Sequence, residues 1–270
     1  NYPNMNDPLF KKFWPASLHL IGKDILRFHA IYWPAFLLAA KINPPLRIFS
    51  HGWILSGDEK MSKSKGNILD PLEIVSTYGI DELRYYLMKE VSHGSDGSIS
   101  LKNLENCINS DLANNYGNLC QRVFSFIKNN CNNTVNKNEN ISNSEKNLIQ
   151  ETYNLVKDLR DDMDNQNLNN YIKSVIKVSF LTNKYINDEE PWKLKKTNIE
   201  RMNNILHLSL EQIAKISILL YPIMPISTKK VLDALNIKFD SINLSFLDGK
   251  SILENKIKVK ELNILFKKSN

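Results

Sequence analysis

The sequence gathers positive charge and hydroxyl groups in one short segment, Lys60-Met61-Ser62-Lys63-Ser64. Gly57 and Gly66 bracket this segment and allow the backbone to bend on both sides. Ammonium groups and serine hydroxyls suit a polyanionic phosphate, and a loop between glycines can close over a ligand. The segment therefore indicates either a phosphate-binding loop or a solvated basic turn.

The elements before this loop predict a parallel β-α-β unit. Residues 17–21 form a short apolar run that ends at Gly22, and residues 48–55 form a second run, so both predict strands. Between them, residues 23–41 carry apolar side chains at helical spacing, and Pro34 should kink or end that helix. Ligands of such units bind at the carboxyl ends of the strands.

Two polar side chains, Asp24 and His29, follow the first predicted strand. Their positions permit two interpretations. Asp24 could be a helix N-cap and His29 a satisfied core histidine, or both could border a pocket above the strands.

The lysine-rich segment is identical to the KMSKS signature of class I aminoacyl-tRNA synthetases. In that class the loop clamps the phosphates of ATP, and the second lysine stabilises the departing pyrophosphate. The resemblance implies that Lys60, Met61, Ser62, Lys63 and Ser64 form a catalytic loop in which Lys63 contacts ATP. It also implies ATP and magnesium as cofactors, but it does not identify the amino acid.

The segment around the first strand resembles methionyl-tRNA synthetases. The matching strings are His19-Leu-Ile-Gly-Lys-Asp-Ile25, Phe28-His29 and Trp33-Pro34-Ala35. The resemblance implies that Asp24 borders both the adenylate and the methionine. It implies that Ile25 and His29 line the methionine pocket. An apolar pocket with a few polar groups suits a polarisable thioether.

The end of the second strand, His51-Gly52-Trp53-Ile54, resembles the stretch that packs against adenosine in the same family. The resemblance implies ATP contacts from His51, Gly52 and Ile54. A buried strand end without a ligand is the alternative.

Beyond the loop the pattern is helical. Asp70 and Pro71 predict the start of a short helix that stops at Gly79, and a second helix starts near Asp81. Residues 92–98 predict a loop, and this region resembles the family's connecting module. Further helices are predicted over residues 101–129, 145–165, 168–186 and 199–221, with a short one ending at Leu235 and a polar linker at 130–143. Antiparallel helices with short connections predict a bundle.

Two places in the predicted bundle carry candidate RNA-binding side chains. Asn118 and Arg122 stand four residues apart on one helix face, and Pro191-Trp192 follows an acidic helix end. They could equally be solvated polar residues and a core anchor. Both stretches resemble the family's anticodon-binding domain, which implies that Asn118, Arg122, Pro191 and Trp192 read the anticodon of tRNA(Met). Aromatic rings stack on unpaired bases, and amides and guanidinium groups read base edges.

Composition bounds these expectations. The 270 residues are 42% hydrophobic, which supports a folded core, and the net charge of +6 permits an RNA partner without requiring one. Three widely spaced cysteines predict neither a disulfide framework nor a metal site, so we expect a reducing, cytoplasmic location and no metal in this chain. We expect no membrane segment and a monomer.

The expected fold class is α/β plus all-α. Residues 1–68 would form the second half of a Rossmann-type catalytic fold, and residues 69–105 a connecting module that contacts the tRNA stem. Residues 106–235 would form an antiparallel helical-bundle anticodon-binding domain. Residues 236–270 would form a tail that packs back on the core.

The resemblance implies a methionine–tRNA ligase that acts through methionyl-adenylate. The 270 residues contain no His-x-Gly-His string, which class I enzymes need for adenylation. We therefore expect a downstream part of such an enzyme, inactive alone, with any zinc in an upstream connective domain. The alternatives are a non-catalytic RNA-binding module built on a synthetase scaffold, or a class I synthetase for another amino acid.

Overall fold

The computed structural model describes residues 4–56, 59–60, 69–92, 94–138, 140–238, 240, 242 and 244–268. The chain divides into two compact units. The first unit comprises residues 1–68 and 91–99, and the second comprises residues 69–90 and 100–270. The four-part division expected from the sequence stays a prediction.

The first unit contains the predicted β-α-β arrangement. A short helix, α1 (Pro8–Phe13), precedes β1 (His19–Gly22), and β1 pairs in parallel with β2 (Ile48–His51). The register places Gly22 opposite His51, so the two strands end side by side. The predicted parallel pairing is confirmed.

The helical connection between β1 and β2 is less regular than predicted. It consists of a 3-10 turn (Lys23–Ile25), a π-helical turn (Phe28–Tyr32) and α2 (Trp33–Ala39). The N–H of Trp33 bonds to the carbonyl of Phe28, five residues back. Pro34 has no N–H to continue the α-helical ladder, so the change in hydrogen bonding falls beside it.

The predicted strand over residues 48–55 is wrong in its extent, because it is two strands. After β2 the chain breaks at Gly52, and β3 (Ile54–Ser56) pairs in parallel with β5 (Gly97–Ile99) and antiparallel with β4 (Glu59–Lys60). A Cβ atom on Gly52 would lie 2.1 Å from the carbonyl oxygen of Ser95. The glycine therefore permits the close backbone approach at the point where the chain changes pairing partners.

The second unit is the predicted helical bundle. Its helices are α3 (Pro71–Tyr78), α4 (Ile80–Glu90), α5 (Leu101–Cys107), α6 (Asn118–Asn130), α7 (Asn143–Val156), α8 (Leu159–Asp164), α9 (Leu168–Glu189), α10 (Pro191–Leu194), α11 (Ile199–Leu220) and α12 (Pro225–Ala234). A π-helical segment, Ile108–Gly117, joins α5 to α6, so the predicted helix over residues 101–129 is continuous. Among the described helices, none combines the length and apolar character needed to cross a membrane.

Helix α11 forms the centre of this unit. All of its residues from 204 to 220 are buried, as expected for a helix that is surrounded by others. Helix α9 packs against α11 and α7, and the start of α9 bonds to α4 through the Asn169 side chain and the Lys89 carbonyl, 3.3 Å apart.

Two details differ from the expected bundle. The predicted helix over residues 145–165 is interrupted between α7 and α8. The predicted polar linker contains β6 (Thr134–Asn136), which pairs antiparallel with β7 (Lys256–Lys258) of the tail. Val135 is fully buried between two polar neighbours, and a three-residue alternation is too short to be recognised as a strand from sequence.

Candidate functional sites

The lysine-rich loop continues from the β3–β4 hairpin. Lys60 lies in β4, where its backbone is opposite Leu55 of β3. Met61, Ser62, Lys63 and Ser64 lie outside the described residues, so their catalytic role stays a prediction.

The carboxyl ends of β1 and β2 bring Asp24 and His51 together. A Cβ atom on Gly22 would lie 2.5 Å from Asp24 Oδ1 and 3.7 Å from His51 Cε1, so both side chains border the same glycine. The ring of His51 is oriented by its Nδ1, which lies 2.9 Å from the Gly52 carbonyl oxygen. Gly22 occupies the N-cap position, so the alternative of Asp24 as the helix N-cap is wrong.

A second site in this unit is an apolar groove beside β1. Its lining residues are Leu18, His19, Leu20, Ile21, Phe28, His29, Tyr32, Trp33 and Phe36. His29 Nδ1 donates to the Ile25 carbonyl, 3.0 Å away, which leaves Nε2 for another partner. His29 is half-buried, so the alternative of a core histidine is wrong. Ile25 contributes this carbonyl, but its side chain is 38% exposed and is not among the lining residues.

His19 is a groove residue that the sequence interpretation did not assign. Its ring lies 6.4 Å from the His29 ring and 5.9 Å from the Trp14 ring. Its Nδ1 is buried without a hydrogen-bond partner among the described residues. The sequence did contain an indication of this role, since His19 begins the string that carries the family resemblance.

An ion pair at the strand ends was also missed. The Lys23 ammonium pairs with the Asp96 carboxylate, and Asp96 Oδ1 accepts a hydrogen bond of 2.7 Å from the Trp53 N–H. These bonds fix the turn before β5 against Lys23, which precedes Asp24, and against Trp53, which precedes β3. Gly52 is buried beneath this turn and Ile54 is 43% exposed. Gly52 therefore has a packing role, and the ATP contacts of Gly52 and Ile54 stay predictions.

The candidate anticodon residues meet at the end of α9. The guanidinium carbon of Arg122 lies 5.9 Å from the ring centroid of Trp192, within range of a cation–π interaction. Arg122 Nη2 donates to Asn187 Oδ1 over 2.7 Å. Trp192 is 42% exposed, so the alternative of a core anchor is wrong, whereas Pro191 is buried. Asn118 lies one helical turn before Arg122 and is half-buried.

Asn187 was not assigned from the sequence, although it contacts Arg122 directly. It lies one helical turn after Asn183, whose Nδ2 donates to the side-chain oxygen of Asn115 at 3.1 Å and to its carbonyl at 3.2 Å. Asn115 and Arg122 belong to the same continuous helix, so two amides of α9 hold it in place. The spacing of Asn183 and Asn187 was the sequence feature that could have indicated their shared helix face.

The described residues contain no group of three or more histidine, cysteine or acidic side chains that could hold a metal ion. The three cysteines are unpaired. Burial raises the pKa of the Cys107 thiol to about 12, although the nearby Lys89 ammonium opposes this shift. Cys107 is therefore a protonated packing residue.

Comparisons with known proteins give the class of the chain first. A family model described as tRNA synthetases class I (M) matches residues 2–124. A model described as the anticodon binding domain of methionyl tRNA ligase matches residues 135–269. These matches and the fold place the chain in class I of the aminoacyl-tRNA synthetases.

Individual relatives agree with one another. The methionine–tRNA ligase of Rhizobium meliloti (strain 1021) is 42% identical over 236 residues, which cover 87% of this chain and 46% of the relative. That of Mycobacterium leprae (strain TN) is 39% identical over 238 residues, covering 87% and 44%. The crystal structure of Mycobacterium tuberculosis methionyl-tRNA synthetase bound by methionyl-adenylate has a TM-score of 0.92 and 35% identity, covering 99% of this chain and 53% of that one.

The chain belongs to the methionyl-tRNA synthetase family. The matching models and relatives are those of the methionine family, not those of a class I family for another amino acid. The chain spans about half the length of the curated relatives that it matches.

Proposed function

We propose that this chain is part of an enzyme that joins methionine to tRNA(Met). In the first step the methionine carboxylate attacks the α-phosphate of ATP, and pyrophosphate leaves. A terminal ribose hydroxyl of the tRNA then displaces AMP from the methionyl-adenylate. The arrangement that carries the proposal is Arg122 held between Asn187 and Trp192 in a chain of this family.

The first unit would take part in activation. In the KMSKS loop, Lys63 would stabilise negative charge on the departing pyrophosphate. Asp24 and His51, which border Gly22 together, would contact ATP at the strand ends. Magnesium usually binds through substrate phosphates, waters and one or two carboxylates, so Asp24 could serve the ATP-bound ion without a dedicated metal cage.

The groove beside β1 would take the methionine side chain. It is lined mostly by apolar and aromatic groups, and His29 supplies one of its few polar atoms. Such a lining suits a thioether, since sulfur packs well against aromatic rings and accepts only weak hydrogen bonds. His19 would be a second polar group at the same place.

The exposed end of the bundle would read the anticodon. An unpaired base can stack on the exposed ring of Trp192, while Arg122 and Asn118 offer donors to base edges. The hydrogen bond that Arg122 donates to Asn187 orients the guanidinium before RNA binds, which reduces the ordering cost of binding.

We further infer that the enzyme works as a monomer in the cytoplasm. Three unpaired cysteines support a reducing compartment. Because the 270 residues lack a His-x-Gly-His string, a polypeptide of this length is expected not to exchange pyrophosphate into ATP in the presence of methionine.

The proposed anticodon reading is tested by binding the 270-residue chain to an RNA stem-loop with a CAU anticodon. A stem-loop altered in the first anticodon base serves as the comparison, at a fixed salt concentration. We expect tighter binding to the CAU stem-loop. Trp192→Ala should weaken that binding by about 1–3 kcal/mol through the loss of stacking.

The matched control is Tyr153→Ala, which removes an aromatic ring of similar exposure (41%) from α7 of the same unit. This variant should bind as the wild type does. Equal, salt-sensitive binding of the wild type to both stem-loops would contradict anticodon reading by these residues.

A further inference from the structure

The exposed face of α9 carries an unusual set of side chains. Lys173, Lys177, Phe180, Lys184 and Asn187 are all exposed, and their spacings of four and three residues place them on one face of the helix. We call this face the α9 stripe. The opposite face of α9 is buried against the bundle.

The α9 stripe carries three positive charges, and none of them belongs to an ion pair among the described residues. Residues 168–187 contain no aspartate or glutamate. None of the ion pairs among the described residues involves Lys173, Lys177 or Lys184. Of the three acids that follow, Glu189 pairs with Arg201 and Glu190 pairs with Lys193, whereas the exposed Asp188 is in none of the ion pairs among the described residues. The acidic helix α8 precedes α9 in the chain.

Phe180 gives the stripe an aromatic surface. Its side chain is 51% exposed on an otherwise polar face. A large aromatic ring left in water between lysines is a recurrent arrangement at surfaces that bind unpaired nucleotides, because the ring stacks on a base while the ammonium groups contact phosphates.

The stripe is continuous with the candidate anticodon residues. Its last member, Asn187, accepts the hydrogen bond from Arg122. At its other end, α9 bonds to α4 through Asn169. Lys173 and Asn187 are 14 residues apart, which corresponds to about 21 Å along the helix. The stripe thus extends from the anticodon residues toward the start of the bundle.

We infer that the α9 stripe binds the RNA strand that leads into the anticodon loop. Lys173 and Lys177 contact phosphates of the stem, Phe180 stacks on a loop nucleotide next to the anticodon, and Lys184, which lies nearer to Asn187, contacts a phosphate of the loop. This inference rests on the proposed function, because the anticodon residues fix which RNA lies there. It adds a surface that reads no sequence and contributes affinity through charge.

The test compares a stripe variant with a charge-matched variant of the 270-residue chain. The stripe variant combines Lys173→Ala, Lys177→Ala and Lys184→Ala. The control combines Lys256→Ala, Lys258→Ala and Lys260→Ala, three exposed lysines on β7 and the residues after it that also form no ion pair among the described residues. Both are titrated with the CAU stem-loop and the altered stem-loop over a range of salt concentrations.

The stripe variant should bind both stem-loops about tenfold more weakly at low salt, and the slope of log affinity against log salt should fall by about two. The ratio between the two stem-loops should not change. The control should keep the wild-type affinity and slope. Phe180→Leu should weaken binding several-fold with an unchanged slope, because stacking is lost and charge is not.

The outcomes separate this inference from the anticodon proposal. Equal losses of affinity in the two triple variants would overturn the inference about the stripe, since lysines elsewhere on the surface would then contribute as much to binding. Unchanged binding by the stripe variant would also overturn it and would point to an acidic protein partner instead. If the wild type binds both stem-loops equally and the stripe variant still has a smaller salt slope, anticodon reading is contradicted and the inference about the stripe stands. A wild type that binds neither RNA would overturn both.

Discussion

Gly22 and Gly52 show how two glycines of one unit can serve different purposes. A side chain on Gly22 would meet the Asp24 carboxylate, which is the mobile end of a side chain. A side chain on Gly52 would meet backbone atoms of Ser95 and Asp96, at 2.1–2.5 Å. The first glycine makes room for a candidate ligand-binding group, whereas the second makes room for another segment of the main chain.

We therefore predict that Gly52→Ala is the more destabilising of two matched substitutions. It should lower the free energy of unfolding of the first unit by about 1–3 kcal/mol, because the backbone of the neighbouring turn has to move. Gly22→Ala should cost less, because Asp24 can turn away. Urea unfolding followed by tryptophan fluorescence measures this, since three of the four tryptophans, Trp14, Trp33 and Trp53, lie in the first unit. Equal costs would contradict this distinction.

The sequence identified which residues belong to the candidate sites better than it identified the residues that they contact. Arg122 and Trp192 were identified, and they do contact each other. The spacing of Asn183 and Asn187 places both amides on one face of α9, but Asn187 was missed because its contact with Arg122 depends on the packing of α9 against another helix. Asp96 was missed for the same reason, since it lies 73 residues from Lys23.

Helix α11 shows how a single element can fix a tail that has little regular structure. The buried carboxylate of Glu211 accepts hydrogen bonds from the N–H groups of Ile252 and Leu253, at 2.7 and 3.0 Å. One turn earlier, His207 Nε2 donates to the carbonyl of Glu254 over 2.8 Å. The chain entering β7 is thus held by side chains of α11, and a helix pattern read alone gives no sign of this.

The His207 contact predicts a pH-dependent stability. Burial lowers the pKa of His207, although the Glu254 carbonyl and the Glu211 carboxylate oppose this shift and Lys137 adds to it. The unfolded chain, whose histidine pKa is about 6.5, therefore takes up the proton first as the pH falls. The stabilisation is present above that pH and is lost below it.

The measurement is the free energy of unfolding of the second unit in urea, followed by far-UV circular dichroism between about pH 7.5 and about pH 5.5, a window above most carboxylate titrations. Stability of the wild type should fall across it. His207→Gln retains an N–H donor but does not titrate, so this part of the decline should be absent from the variant. If stability falls equally steeply with pH in the wild type and in the variant, His207 is not the cause of the decline.

The two units differ in how completely they bury their apolar side chains. Among the described residues of the first unit, Ile21, Leu37, Ile42 and Ile99 are buried, whereas thirteen large hydrophobic side chains are exposed: Met5, Leu9, Phe13, Leu20, Ile25, Leu26, Phe28, Ile31, Trp33, Phe36, Leu38, Leu46 and Ile54. The second unit also exposes large hydrophobic side chains, but among its described residues the buried ones, including most of α11, far outnumber them. The apolar pattern of residues 23–41 correctly predicted a helical region, but the pattern could not show whether that face is covered.

This difference predicts that the 270-residue chain unfolds in two steps. Burial of apolar surface is the main stabilising contribution, so the first unit should unfold at a lower urea concentration than the bundle. In a Trp192→Phe background, tryptophan fluorescence reports the first unit alone, whereas far-UV circular dichroism reports chiefly the helices of the second. The fluorescence midpoint should precede the dichroism midpoint.

RNA provides the control for this assignment. A ligand stabilises only the state to which it binds, so a saturating CAU stem-loop should shift the dichroism midpoint to higher urea and leave the fluorescence midpoint in place. Because Trp192→Phe keeps an aromatic ring at the anticodon site, the background variant can still stack on a base. Coincident transitions, with or without RNA, would mean that the two units unfold as one cooperative structure despite their unequal burial.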